Sequence, residues 1–253
     1  MNANQKYGSV TRLHGRTVII SIFIDDLTTN WNYGDSNEIR RMYDTIDNLK
    51  IATEWIRKNA ARFGAHTEFI YDWSKDYTLF ARIKSDKNLI WINENSENHY
   101  YDLCRYIDKY IDSEKIRRTY HTDSLLYMFF YDTAPFLKAR SYAFQYEAGY
   151  PYVYETCHIF CRTFGGVSGP GVYAHEILHA FGAPDLYYAN KKIPQKYVDY
   201  LQKTGSRDVM FSNDPLCAGK VNAVFSDVDA YYTGLISTCP VVTKWGLGKS
   251  MYL

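Results

Sequence analysis

Two uninterrupted apolar runs constrain this chain most: residues 17–24, TVIISIFI, and residues 124–132, SLLYMFFYD. Both are short and rich in β-branched or aromatic residues, so they read as buried strands. Neither is long enough to cross a membrane. Between them the spacing turns helical. From Ser36 onward Ile39, Met42, Tyr43, Ile46, Leu49, Trp55 and Ile56 recur at close to helical intervals. Residues 100–111, YYDLCRYIDKYI, set Leu103, Tyr106, Ile107, Tyr110 and Ile111 on one side of a second helix. Residues 66–73 form another strand candidate. Residues 77–83 and 89–93 suggest a hairpin across the turn-like 84–88, and residues 139–149 and 153–163 read as two further strands. Helices alternate with strands early, and strands cluster before residue 163. The expected class is α+β, a twisted mixed sheet with helices packed on it. No convincing linker interrupts residues 1–253, which read as one domain.

The size and 46% apolar content of the 253-residue chain support a single sizeable core. A formal net charge of +1 gives no basic stripe for nucleic acid and no polybasic membrane patch. The 25 tyrosines suit either a groove that binds polymer or a plain amphipathic surface. Residues 1–16 are polar and lack the hydrophobic centre of a secretory leader. Two compartments therefore stay open: the cytoplasm, or the exterior if a leader lies outside these residues. The five cysteines, Cys104, Cys157, Cys161, Cys217 and Cys239, form no disulfide framework, although Cys217 and Cys239 are able to pair in an oxidising compartment.

Chemistry concentrates in residues 171–190, GVYAHEILHAFGAPDLYYAN. A glycine- and proline-rich stretch, FGGVSGPG at 164–171, leads in, and Pro170 is placed to start a helix. On a helix, His175 and His179 are four apart and share a face. Neutral imidazole suits zinc. Glu176 points about 100° away from His175, too far to be an equal ligand on that face but able to reach a water at the metal as general base. A catalytic zinc site needs a third protein ligand. Gly182 is able to end the helix and swing the chain round, which lets Asp185 return a carboxylate to the ion.

The segment HEILHAFGAPD resembles the extended zinc motif of the metzincin metallopeptidases. With its terminal aspartate followed by Leu186 and Tyr187, it is most similar to the immune inhibitor A type. The resemblance implies a zincin-like fold with an active-site helix, an N-terminal subdomain of about 1–182 and a smaller C-terminal one of about 183–253. It implies His175, His179 and Asp185 as zinc ligands, Glu176 as base and Gly182 at the turn. Met210 in SRDVMFSND would be the methionine beneath the metal. It also implies an antiparallel edge strand above the active-site helix, for which residues 139–149 are the candidate, and a C-terminal helix, for which 226–236 is the candidate, with Ser226 as its cap. The sequence departs from the pattern at Ser212, where several families of the clan carry a tyrosine. Tyr187, Tyr188 and Tyr231 are its possible replacements. The direct match covers residues 175–187 and, more weakly, 206–214.

Other signals have plainer readings. On a strand, Cys157 and Cys161 share one face and His158 faces the other, so they read as buried thiols and not as a cluster. Residues 44–59 read as a helix with a solvated charged face. Asp25 and Asp26 end an apolar strand, a common place for sites in α/β folds. The leading expectation is a zinc endopeptidase acting on peptide or protein, with no nucleic-acid or membrane partner. The alternatives are a zinc amide hydrolase for a non-protein substrate and a non-catalytic peptide- or glycan-binding module on a peptidase scaffold.

Overall fold

The computed structural model describes residues 10, 12–32, 34–72, 74, 76–86, 89, 96–122, 124–133, 140–145, 154–163, 166–212 and 214–253. The first apolar run becomes β1 (Gly15–Asp25). Its eleven residues give one edge room for two parallel partners. β2 (Thr67–Ile70) pairs with its first half and β3 (Phe80–Lys84) with its second. The second run, β4 (Ser124–Tyr131), lies parallel along the other edge. Beyond it come β6 (Thr156–Phe160), parallel, and β5 (Tyr142–Phe144), the antiparallel edge strand. The result is a mixed sheet of order β2-β1-β4-β6-β5, with β3 also on β1.

Of the hairpin expected over residues 77–93, the first arm forms β3. β3 runs parallel to β1, and Ser85 N donates to Asp25 O at 2.9 Å, which continues that association. Residues 90–93 of the second arm lie outside the described residues.

Seven α-helices are present among the described residues: α1 (Ser36–Ala61), α2 (Ser96–Tyr110), α3 (Ser113–Tyr120), α4 (Pro170–Ala180), α5 (Gln195–Lys203), α6 (Asp227–Tyr232) and α7 (Pro240–Trp245). Two core clusters form, and β4 alternates between them as the strand period requires. Leu126, Met128 and Phe130 join the cluster that includes Leu49, Ala52 and Ile56 of α1 and Ala174, Ile177 and Leu178 of α4. Leu125, Tyr127, Phe129 and Tyr131 join Leu103 and Ile107 of α2 and Ile116 of α3. Each fully buried leucine or isoleucine contributes about 1.5–3 kcal/mol. Asp44, Asp47, Lys50, Glu54, Arg57 and Lys58 form the exposed charged face of α1.

The first cluster also takes in Val209, Met210, Phe225 and Val228. Residues after α4 therefore pack on the same core as the sheet, and α4 is held between the two. No helix among the described residues is long and apolar enough to cross a membrane.

Candidate metal centre

Helix α4 begins at Gly169 with Pro170 in its first turn, where a missing N–H costs nothing. A side chain at Gly169 would collide with Cys217 O, 2.2 Å from an added Cβ. At the other end Gly182 adopts φ +97°, and a Cβ there would meet Met251 Sδ at 2.9 Å and Tyr232 O at 3.1 Å. Both the conformation and the space demand glycine. Gly182 N donates to His179 O at 2.8 Å and Ala183 N to Leu178 O at 3.1 Å, which satisfies carbonyls left open at the helix end.

The turn does more than redirect the chain. Ala183 O lies 2.7 Å from His179 Nδ1, and Val209 O lies 2.9 Å from His175 Nδ1. A carbonyl only accepts, so both rings carry their proton on Nδ1. Both Nε2 atoms then turn to a common point. They stand 3.0 Å apart, and Asp185 Oδ1 stands 3.1 Å from His179 Nε2 and 3.2 Å from His175 Nε2. In neutral rings these are three facing acceptors, an arrangement that only a cation, a proton or a metal ion, makes favourable. Their spacing is close to the roughly 3.3 Å edge of a tetrahedron whose bonds are about 2.0–2.1 Å long. The donor set of two imidazoles and one carboxylate, each imidazole steadied from behind by a backbone carbonyl, fits zinc.

Glu176 stands further back. A carboxylate oxygen comes within 4.8 Å of both histidine ligand atoms, but Asp185 is the nearer acid to both. Glu176 is 4% exposed, and its Oε2 has no hydrogen-bond partner. Burial pushes its pKa up to about 8; His175 works against the shift and Asp185 with it. Burial also acts to raise the pKa of Asp185, but the hydrogen bonds and charge that His175 and His179 supply when a proton sits on Nε2 outweigh it and hold this carboxyl well below the usual range. Cys157 Sγ donates to Glu176 O at 3.2 Å, fixing the backbone behind the acid.

Met210 is fully buried in the core, and its carbonyl accepts from Leu186 N at 3.0 Å, which ties the Asp185 loop to the methionine segment. Ser212 is exposed. Of the three tyrosines considered in its place, Tyr187 and Tyr188 lie beside Asp185: burial first, and then the Asp185 charge, raise the pKa of both phenols. The Tyr187 ring also stacks near His175, with centroids 6.3 Å apart. Tyr231 is buried instead, with Ser250 N 3.4 Å from its hydroxyl.

The remaining signals are structural. Cys157 and Cys161 lie in the first core cluster with thiols raised by burial, that of Cys161 to about 12. Cys217 and Cys239 are both free thiols. Asp26 Oδ1 accepts from Thr28 N and Thr29 N, each at 2.8 Å, and its Oδ2 from Leu89 N at 2.8 Å. Asp25 pairs with Arg82. These two acids hold the loop after β1 in place. Sequence reasoning missed the carbonyls of Val209 and Ala183, because a backbone acceptor leaves no residue type to read.

No protein-family model matches the chain, and no curated protein matches it.

Proposed function

We propose that the chain is a zinc-dependent endopeptidase of the metzincin type. One observation carries this reading: three acceptor atoms, on His175, His179 and Asp185, meet within 3.2 Å, with a buried, unpartnered Glu176 carboxylate oxygen beside them. His175 Nε2, His179 Nε2 and Asp185 Oδ1 would hold the ion. Zinc at that point would supply a Lewis acid and lower the pKa of a water molecule. Glu176 Oε2 takes a proton from the attacking water and gives it to the leaving amine.

Three further features support the metzincin form of this reading. Gly182 takes the left-handed conformation at the turn. Met210 is buried in the segment that orients His175. The antiparallel edge strand β5 packs against α4, and Gln145 Nε2, just past that strand, donates to Ala183 O at 3.3 Å. A non-catalytic binding module has no chemical use for a desolvated Glu176. The same activated water suits another amide equally well, since the site fixes the chemistry and not the substrate.

The test is zinc content measured beside hydrolysis of a broad peptide library, with and without chelator. Stoichiometric zinc and chelator-sensitive cleavage are expected. A metal-free protein without chelator-sensitive cleavage contradicts the proposal, and cleavage-site profiling separates peptide from other amide substrates.

A further inference from the structure

On the sheet face opposite α4, the turn from α2 into α3 borders a cavity of about 460 Å³. Arg117 of α3 lines it and is only 7% exposed. Its Nη1 donates to Glu114 Oε1 at 2.6 Å. Nε and Nη2, the two donors along another edge of the guanidinium, are buried and have no hydrogen-bond partner among the described residues. A guanidinium stays charged in proteins, so this edge calls for acceptors, and buried donors left unmatched are costly. The acids around the cavity do not serve it. Asp108 accepts from the Tyr154 hydroxyl, and Asp112 Oδ1 accepts from Lys115 N at 2.9 Å as the cap of α3. Glu114 is bonded only to Nη1, and its side chain is 67% exposed.

We propose that this cavity binds a carboxylate, gripped by the unmatched edge of Arg117. Nε–H and Nη2–H point side by side, the fork that meets the two oxygens of a carboxylate in parallel hydrogen bonds. The charge around the cavity sets the class of anion. Asp108, Asp112 and Glu114 face two cations, Lys109 and Arg117, so the lining carries one more negative than positive charge. A singly charged carboxylate matches the guanidinium, whereas a phosphate dianion meets added repulsion from the acids. Glu114 is the acid able to yield to the ligand, because an exposed ion pair along one helix holds weakly. The carboxylate comes from a small organic acid or from the C-terminus of a peptide, and the fork meets both in the same way. The site shares no residue with the metal centre, so neither reading depends on the other.

Nitrogen-15 NMR of the arginine Nε–H groups tests this in the whole chain, with the Arg117 signal identified by its loss in Arg117→Lys. The probes are acetate, inorganic phosphate, and N-acetyl-dialanine with its carboxyl either free or amidated. Acetate and the free-carboxyl peptide are expected to shift the Arg117 signal saturably and the amidated peptide to leave it in place. Phosphate is expected to need about tenfold higher concentration or more. A free-carboxyl peptide that binds at least about tenfold more tightly than acetate assigns the site to a C-terminus, and a smaller difference assigns it to small acids. Acetate should also raise the melting temperature of the wild type. Arg117→Lys and Arg117→Met should each lose that rise, since an ammonium lacks the fork and a thioether lacks the charge. The wild-type titration does not depend on either variant folding. An Arg117 signal that neither carboxylate moves overturns the proposal, as does one that phosphate moves at a lower concentration than acetate. A folded variant that keeps the acetate-dependent rise overturns it too.

Discussion

His158 on β6 and the pair His175 and His179 on α4 are all imidazoles withdrawn from water, yet their surroundings differ in one respect. His158 has both ring nitrogens matched: Nδ1 lies 2.9 Å from the Tyr131 hydroxyl and Nε2 2.9 Å from the Thr156 hydroxyl. Its faces are closed by Phe129 and Tyr142, with ring centroids at 5.0 and 4.4 Å. The α4 histidines each have one nitrogen bound to a carbonyl and the other turned to a shared point with Asp185. A partner that can both donate and accept closes a histidine off. A partner that only accepts fixes the tautomer and leaves a lone pair for an ion. Burial alone does not separate a ligand from a core residue; the chemistry of the second nitrogen's neighbour does.

The contrast breaks most sharply at the shared point. Asp185→Ala is expected to weaken zinc at least 100-fold, at the upper end of what an orienting partner alone is worth, and to remove most activity. Asp185→His should recover part of both, since imidazole is also a good ligand. Chelator competition measures this, with folding checked by circular dichroism. An alanine variant of wild-type affinity would eliminate Asp185 as a ligand. Glu176→Gln should keep near-normal zinc content and lose at least about 100-fold in rate. Steady-state kinetics beside zinc titration checks it, and activity within a few-fold of wild type would remove Glu176 from the mechanism.

His158→Ala should behave in the opposite way. The cavity and the two unmatched hydroxyls should cost roughly 3–5 kcal/mol of stability, read by urea unfolding, while zinc affinity stays within about threefold. The closed histidine also predicts a pH limb. Burial pushes the pKa of His158 down to about 3, below the roughly 6.5 of an unfolded chain. Between those values the unfolded state binds the extra proton. The contribution of His158 is therefore complete above about pH 6.5 and is lost as pH falls toward 3, at up to about 1.4 kcal/mol per pH unit. His158→Gln should flatten that part of the stability profile, and an unchanged slope would contradict a neutral buried ring. The smallest effect is expected at Tyr187→Phe, with zinc affinity within about threefold of wild type by the same competition assay, because the ring that stacks near His175 is kept and the hydroxyl is not one of the proposed ligands.

The parts of the molecule legible in sequence are those with a local cause. The apolar runs at 17–24 and 124–132 gave β1 and β4, and α6 starts at Ser226 with a reciprocal capping box to Asp229. The spacing from His175 to Asp185 described a helix, a turn and a return, and those atoms do meet. Elements decided at long range were not legible. β3 runs parallel to the second half of β1, a pairing between distant stretches of sequence. Helices α3, α5 and α7 are short, at eight, nine and six residues, and periodicity needs a longer window. α5 still shows Tyr197, Val198 and Leu201 on one buried face after Pro194, a signal present but faint.

The central claim is that His175, His179 and Asp185 together hold one zinc ion. X-ray absorption of the wild-type protein loaded with a single equivalent of zinc tests it most directly. The account predicts tight binding of one ion per chain, a shell of nitrogen and oxygen at about 2.0–2.2 Å with two imidazoles in it, and no sulfur. A sulfur shell near 2.3 Å, fewer than two imidazoles, or the absence of stoichiometric zinc would contradict it.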